Sequence, residues 1–499
     1  MIYIKKLGAV ILPVIVIFFF NLSCKKGGDD SIVDKPEPQP TLPLVTVSAD
    51  YTNIVSTFDR TKVLNVARGG HGINTDLTWM PGFYDKLVEI GVDEFRIDWL
   101  LSDWFYQVVS RNGNGELQYD FTKLDKIIVP LVTKGMKPTM CMCYMASALG
   151  NNEEQPNNYD EYKSAIEAYV QHYKDLGYAG WAWESHNEPE GFTKLTPAQT
   201  YKMYKYFAAA VKEVDPTARV GGYGSVGHDW ISYVRSFLDL YKSDSERPVL
   251  DFFSFHQYGK PTWDVPEIED AFKSRGLTVP DLYVTEWNNS YGQEPGEGNL
   301  GTTGGGYDSN VNASYVAKKM YNSLDYPNLK KIYFWNFADA DPAKKFGGDM
   351  GLFTVDHHRK AAANTFYFFN QLHESVVSAI YSGIGTQSRD AHGVITVDDA
   401  SQKMAMVFWN NQFDAIELKS EIDNLPALEG GKKYQVKKMI IDATHGNFYY
   451  DFKNGFSGTG VGPNENAKVV DSFEFEGNTF AHVDTLSEHS VVLLLVEPK

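Results

Sequence analysis

The chain has 499 residues, of which 43% are hydrophobic and 22% charged, so it is long enough to form more than one folded domain. Its formal net charge of -18 excludes the basic surface that a nucleic-acid backbone requires, and we expect no nucleic-acid partner. The sequence carries no P-loop, no GxGxxG after a strand and no HExxH, which argues against nucleotide-binding and zinc-protease functions.

The N-terminus has the pattern of an export signal. Lys5 and Lys6 precede an uncharged apolar stretch, 7–23, which predicts a signal peptide over residues 1–23. The stretch ends in Asn-Leu-Ser-Cys24, which resembles a bacterial lipobox, so we expect Cys24 to be lipid-modified. The alternative is an uncleaved anchor helix.

The segment 24–43 is rich in proline and predicts an extended tether between membrane and folded protein. The charged residues just after Cys24 resemble the surface-export signals of Bacteroidetes-type lipoproteins. We therefore expect a lipid anchor in the outer membrane and favour the cell surface over the periplasmic face.

The other two cysteines, Cys141 and Cys143, lie in an apolar strand-like run. Neighbours two apart on one strand point to the same face but are poorly placed to bridge each other. We interpret them as small buried residues rather than a metal or redox pair.

From about residue 62, short apolar runs alternate with longer amphipathic ones, which predicts an α/β fold, a (β/α)8 TIM barrel, over residues 44–373. The predicted helices include 81–90, 160–176 and 197–214, the last preceded by Thr196 as a capping residue. The predicted barrel strands are 63–67, 94–99, 137–144, 180–184, 218–222, 251–256, 281–285 and 331–336.

From residue 374 to 499 the pattern changes to short alternating segments separated by turns such as Gly430-Gly431 and Asn454-Gly455. This predicts a C-terminal all-β domain of sandwich type. The strand-like run 44–47, which precedes the barrel, is a candidate additional strand of that domain.

Two glutamates follow strand-like runs at the barrel end where active sites lie: Glu188 at the fourth strand and Glu286 at the seventh. Cleavage of a glycosidic bond needs a carboxylic acid that protonates the leaving oxygen and a carboxylate on the other side of the anomeric carbon. The pair therefore predicts a glycoside hydrolase, although a single strand-end glutamate more often forms a surface salt bridge.

Other side chains at the same strand ends fit a sugar-binding site, and each also has a purely structural interpretation. A tyrosine could hydrogen-bond the nucleophile, an arginine could lower its pKa, and a tryptophan could form a flat floor for a sugar ring. The candidates for substrate binding are Asn187, His256, Tyr258, Arg96, Trp335 and His71.

Several stretches together resemble glycoside hydrolase family 39, the family of β-xylosidases and α-L-iduronidases. They are Asn187-Glu-Pro, Thr285-Glu-Trp-Asn-Asn-Ser-Tyr, Tyr119-Asp-Phe-Thr-Lys-Leu-Asp-Lys-Ile, Gly135-Met-Lys-Pro, Val214-Asp-Pro-Thr-Ala-Arg-Val-Gly-Gly and Phe252-Phe-Ser-Phe-His-Gln-Tyr-Gly. The resemblance covers about residues 45–375. The chain departs from the family pattern at Glu190, at Gln257 and in the Gly-rich segment 292–308.

The resemblance implies that Glu188 is the acid/base and Glu286 the nucleophile of a retaining enzyme. We expect exo-action on terminal sugars of plant or host glycans, with no metal or other cofactor. Two alternatives stay open. One is a surface glycan-binding lipoprotein that has lost catalysis, and the other is an endo-acting glucanase or xylanase of a sister family.

Overall fold

Eight parallel strands close into a barrel, in the order β2-β3-β6-β7-β8-β9-β10-β11. The computed structural model describes residues 41–68, 79–151, 155–226, 230–260, 262–289, 306–339, 346, 349–458 and 460–499. The predicted signal peptide, Cys24 and most of the tether lie outside these residues. Numbered along the chain, the strands up to the last of the barrel are β1 (Leu44–Thr57), β2 (Asn65–Arg68), β3 (Glu94–Ile97), β4 (Val109–Arg111), β5 (Leu117–Tyr119), β6 (Lys137–Cys141), β7 (Ala182–Glu184), β8 (Arg219–Ser225), β9 (Phe252–Tyr258), β10 (Asp281–Asn288) and β11 (Leu329–Trp335).

All eight predicted barrel strands are confirmed, with shifts of a few residues at their ends. The first predicted strand differs from the structure in type of element as well as in bounds, because Val63 ends a short helix and the strand begins at Asn65. The Asn65 amide donates to the carbonyls of Thr61 and Lys62 and so closes that helix. Strands β4 and β5 form a separate hairpin between the second and third barrel strands.

The helices lie between the barrel strands, as a (β/α)8 fold requires. The Thr196 cap is confirmed, because its side chain and that of Gln199 form a reciprocal capping box. The helices are α1 (Arg60–Val63), α2 (Tyr84–Glu89), α3 (Thr122–Thr133), α4 (Tyr159–Asp175), α5 (Pro197–Val214), α6 (Trp230–Ser243), α7 (Val265–Lys273), α8 (Asn310–Ser323), α9 (Ala361–Asn370) and, in the C-terminal part, α10 (Phe448–Lys453). Among the described helices none is long and apolar enough to cross a membrane.

The C-terminal part is an all-β domain. Its strands are β12 (Ser375–Gly383), β13 (Ala391–Asp398), β14 (Lys403–Asn410), β15 (Ile416–Asp423), β16 (Tyr434–Ile441), β17 (Val469–Phe475), β18 (Phe480–Leu486) and β19 (Ser490–Pro498). Within the described residues the hydrogen-bonded order is β17-β16-β19-β14-β13-β12-β1-β15-β18. Strand β1, which precedes the barrel in the sequence, therefore belongs to this C-terminal sheet. It pairs antiparallel with β12 and parallel with β15.

Side chains from both halves of this sheet fill one apolar core, as in a sandwich. Val47 and Phe480 come from one half, and Val436 and Leu494 come from the other. Barrel and β-domain belong to one compact unit, residues 42–499. Helix α8 contacts both β14 and β19, and Asn310 at its start donates to the carbonyl of His489.

Candidate active site

The two predicted catalytic glutamates lie at the same end of the barrel. Glu286 is on β10, directly beside His256 on β9, and two residues further along Asn288 is beside Tyr258. Glu188 follows β7 by four residues, at the start of the loop into α5. One carboxylate oxygen of each glutamate and Nδ1 of His256 all lie within 4.8 Å of one another. The parallel register therefore brings together side chains from the fourth, sixth and seventh barrel strands.

Arg96 on β3 is fully buried and connects the site. Its Nε donates to Glu184 Oε2 (2.6 Å), its Nη1 to Glu286 Oε1 (2.9 Å) and its Nη2 to Asn187 Oδ1 (2.7 Å). A buried guanidinium is tolerated only when its donors are paired, and here the pairing fixes the positions of three acceptors. The predicted contact between Arg96 and Glu286 is present.

Glu184 is a site residue that the sequence reasoning missed. It ends β7, is fully buried, and accepts a hydrogen bond from Thr285 Oγ1 at 2.9 Å as well as that from Arg96. Burial acts to raise the pKa of Glu184, but Arg96, Ser254 and His256 together outweigh it and hold that pKa below the ordinary range. The sequence does carry a signal for Glu184, because an acid at the end of the apolar run Trp-Ala-Trp-Glu requires a buried cationic partner.

The Glu286 carboxyl is buried and receives donors at both oxygens. Tyr258 Oη donates to Oε2 at 2.6 Å, opposite the Arg96 contact, and His256 Nδ1 lies 3.5 Å from the same oxygen. Burial raises the pKa of Glu286 above its ordinary value, while His256, Arg96 and Tyr258 each act to lower it. Arg96 and Tyr258 thus oppose the burial, as expected, without fully offsetting it.

Glu188 has a left-handed backbone conformation, with φ at +48°. A non-glycine residue in this region costs roughly 1–3 kcal/mol and is typical of functional sites. Its N–H donates to the carbonyl of Gly224 (3.1 Å), and its own carbonyl accepts from Phe192 N (2.9 Å). These bonds hold the residue in place, and its partly exposed side chain meets His256 Nδ1 at 2.7 Å.

His256 reaches Glu188 because Gly224 lacks a side chain. Gly224 has φ at +58°, and a Cβ there would lie 2.8 Å from His256 Nε2. Burial is the main cause that lowers the pKa of His256 to about 4, so its imidazole is neutral at neutral pH. Glycine is therefore required at position 224 for both its backbone conformation and this close approach.

Asn187 is held in a fixed orientation, with its Oδ1 on Arg96 and its Nδ2 donating to Tyr144 Oη at 2.8 Å. Tyr144 was not predicted, and it belongs to an aromatic wall. Its ring lies 4.5 Å from that of Trp99 and 4.6 Å from that of Phe192, centre to centre. Phe192 is 45% exposed, so part of this wall faces solvent beside Glu188.

Trp335 ends β11 and is buried at the barrel mouth, with its ring 6.3 Å from that of Tyr258 and nearly perpendicular to it. Its carbonyl accepts from Asn288 Nδ2 at 2.7 Å, which ties the seventh and eighth strands together. His71 and most of the Gly-rich segment 292–308 lie outside the described residues, and their predicted roles stay predictions.

Glu190, one of the departures from the family pattern, braces the segment after β8. Ser225 Oγ and Val226 N (2.7 Å) both donate to its Oε1. Burial raises the pKa of Glu190 to about 7. Its contacts fix backbone next to Gly224 and so support the position of Glu188.

Glu188, His256 and Glu286 also carry atoms that could ligate a cation. The guanidinium of Arg96 lies only 2.9 Å from Glu286, however, and a second positive charge there would be repelled. The arrangement suits acid, base and nucleophile chemistry between two carboxylates better than metal binding.

Comparison with known proteins finds relatives of this chain among the β-xylosidases. The chain is 25% identical over 420 residues to a β-xylosidase of Geobacillus stearothermophilus, covering 74% of this chain and 78% of the relative. It is 28% identical over 323 residues to a β-xylosidase of Caldicellulosiruptor saccharolyticus, covering 57% of this chain and 63% of the relative.

A solved structure, the monomeric β-xylosidase from Caulobacter crescentus CB15, has the same fold with a TM-score of 0.74. It is 19% identical, and the match covers 91% of this chain and 99% of that one. The model of the family described as glycosyl hydrolases family 39 matches residues 61–454, well over half of the chain. The protein is therefore a glycosidase that belongs to glycoside hydrolase family 39.

Proposed function

We propose that this glycosidase hydrolyses its substrate with retention, by double displacement, with Glu286 as nucleophile and Glu188 as acid/base. The observation that carries the proposal is the separation of the two carboxylates, whose oxygens lie within 4.8 Å. Retaining enzymes hold the two carboxyl groups about 5–5.5 Å apart, whereas inverting enzymes leave about 6.5–9.5 Å for a water molecule.

The surroundings of the two carboxylates support different roles for them. Glu286 accepts from Arg96 and Tyr258, donors that favour its ionised form, which is the form that attacks the anomeric carbon. Glu188 is more exposed and contacts the neutral imidazole of His256. It protonates the leaving oxygen in the first step and takes a proton from water in the second, when the glycosyl–Glu286 ester is hydrolysed.

For the substrate, we propose exo-action on terminal β-D-xylosyl residues of plant or host glycans. Both curated relatives named above are β-xylosidases. Product analysis on a xylo-oligosaccharide distinguishes the modes of action. An exo-enzyme releases a single sugar from the start, whereas early release of mixed oligomers would indicate an endo-acting glucanase or xylanase.

Substitution of the two glutamates tests the assigned roles. Glu286→Gln removes the nucleophile and should lower kcat by at least about a thousandfold on every substrate. Glu188→Ala should lower kcat/KM by roughly 10²–10⁴-fold on substrates whose leaving group needs a proton. The loss should be much smaller on a 2,4-dinitrophenyl glycoside. Steady-state kinetics on both substrate types check this.

Glu213→Gln, at an exposed surface glutamate, is the matched control and should retain wild-type rates. Near-wild-type activity in both catalytic variants would contradict the assignment. A wild-type protein that binds oligosaccharide but hydrolyses none would instead be a surface glycan-binding lipoprotein.

Tyr258→Phe should move the acid limb of the pH profile of kcat/KM. Activity requires ionised Glu286, so it is lost as the pH falls through the pKa of that group. The Tyr258 hydroxyl acts to lower this pKa, and its removal should shift the limb to higher pH. Tyr204→Phe, which loses a hydrogen bond to the carbonyl of Val249, is the control. An acid limb that stays in place, or moves to lower pH, would exclude this role of Tyr258.

We also propose that the protein is exported and anchored to the outer membrane by lipid on Cys24, on the cell surface rather than the periplasmic face. The support is the sequence alone, namely the apolar stretch 7–23 and the tether 24–43. Cys24→Ser should move the enzyme from the membrane pellet to the soluble fraction of fractionated cells with unchanged specific activity. A variant that stays with the membrane would exclude lipid on Cys24 as the anchor.

A further inference from the structure

A pocket of about 310 Å³ opens beside Glu188, on the side of β8 and β9. His256 and Tyr258 form its wall toward the nucleophile, and Glu286 itself does not line it. Among the described residues it is also lined by Gln257 on β9 and, in the segments that follow the two strands, by Val226, Trp230, Lys260 and Asp264.

The position of this pocket relative to the two carboxylates indicates which part of a substrate it receives. The acid must lie within hydrogen-bonding distance of the leaving oxygen, so the departing group occupies space next to Glu188. The nucleophile attacks from the opposite face of the sugar. We propose that the pocket is the leaving-group site and accepts a neutral sugar ring, with Trp230 and Lys260 as specificity-determining residues. This inference rests on the proposed role of Glu188 as the acid.

Trp230 offers a fixed aromatic surface. One neighbour, Phe255, stacks on it with ring centres 5.9 Å apart and planes 9° from parallel. The indole is only partly buried and lines the pocket. An aromatic ring held by packing suits the apolar C–H face of a sugar, because little conformational freedom is lost on binding.

The segment after β9 is braced from within the protein. The Gln257 side chain accepts from Asp264 N at 2.9 Å and donates to the carbonyl of Thr262. Lys319, buried beneath, donates to the carbonyl of Lys260 at 3.0 Å and to that of Thr262 at 3.3 Å. Gln257 therefore holds this segment in position through both ends of its amide group.

This bracing holds Lys260 and Asp264 as an ion pair at the rim of the pocket. The Lys260 ammonium also lies 6.0 Å from the centre of the Trp230 ring. The pair supplies donors and acceptors for hydroxyl groups and has no net charge, which favours a neutral sugar over an acidic one. The indole matches the apolar face of a pyranose ring, and the ion pair matches its polar edge of hydroxyl groups.

Trp230→Ala and Lys260→Met in the full chain test the proposal. The substrates are the 4-nitrophenyl and 2,4-dinitrophenyl glycosides of the glycone that the wild type accepts, and the matching disaccharide, which is xylobiose for a β-xyloside. We expect each variant to lose roughly tenfold or more in kcat/KM on the disaccharide. The loss on the 4-nitrophenyl glycoside should be clearly smaller.

The dinitrophenyl glycoside distinguishes a loss of leaving-group recognition from a general loss of catalytic activity. Its hydrolysis at saturation is limited by deglycosylation, after the leaving group has left the pocket, so that rate constant should stay within about twofold. Equal losses in deglycosylation and in disaccharide cleavage would show that the residues only support the carboxylates. Unchanged kcat/KM on the disaccharide would exclude the pocket as the leaving-group site.

Lys273→Met is the matched control, since Lys260 and Lys273 both form ion pairs with an acid four residues away and are 50% and 61% exposed. Should Trp230→Ala fail to fold, the exposed Lys260 variant decides the outcome. A wild type that shows no burst of dinitrophenol and no glycosyl-enzyme would contradict the proposed mechanism, a result distinct from any difference between the variants.

Discussion

The buried guanidinium of Arg96 is the interaction on which the active site depends. It lies on β3 with no exposed surface and binds Glu184, Asn187 and Glu286 at once. Burying an unpaired cation would cost several kcal/mol, so these acceptors stabilise the fold as well as the site. The same contacts fix Glu286, the proposed nucleophile on β10, and Asn187, the residue before the proposed acid/base. The contacts that stabilise the barrel centre are therefore also the contacts that fix the geometry of the proposed catalytic pair.

A second group of contacts, on the neighbouring strands, holds Glu188, the proposed acid/base. Gly224 accepts from the backbone of Glu188 and leaves room for His256. Glu190 holds the adjacent backbone at Ser225. These contacts maintain the left-handed conformation of Glu188 and direct its carboxyl toward Glu286 and toward the pocket that contains Trp230. The proposed acid/base and the proposed leaving-group site therefore share the ends of β7, β8 and β9.

Much of this could be predicted from the sequence, because barrel strands are buried on both faces and appear as short apolar runs. Glu188 and Glu286 stood out since each follows such a run. Glu184 was missed although an acid at the end of an apolar run signals a buried charge. Its partner, Arg96, is set by the lateral register between strands, which the sequence of one strand does not specify. Tyr144 and Trp230 depend likewise on how loops from different strands meet. The raised pKa of Glu286 could not be predicted either, because it results from burial in the packed site and not from the residues next to it in the sequence.

In the proposed double displacement, Glu286, held by Arg96 and Tyr258, forms a covalent bond to the sugar. Trapping with a 2-deoxy-2-fluoro glycosyl fluoride of the accepted glycone tests it most directly, because the fluorine slows hydrolysis of the intermediate. Peptide mass spectrometry of the inactivated enzyme should place the fluoroglycosyl group on Glu286, with loss of activity proportional to labelling. An adduct on another residue, or continued hydrolysis with inversion and no adduct, would contradict the account.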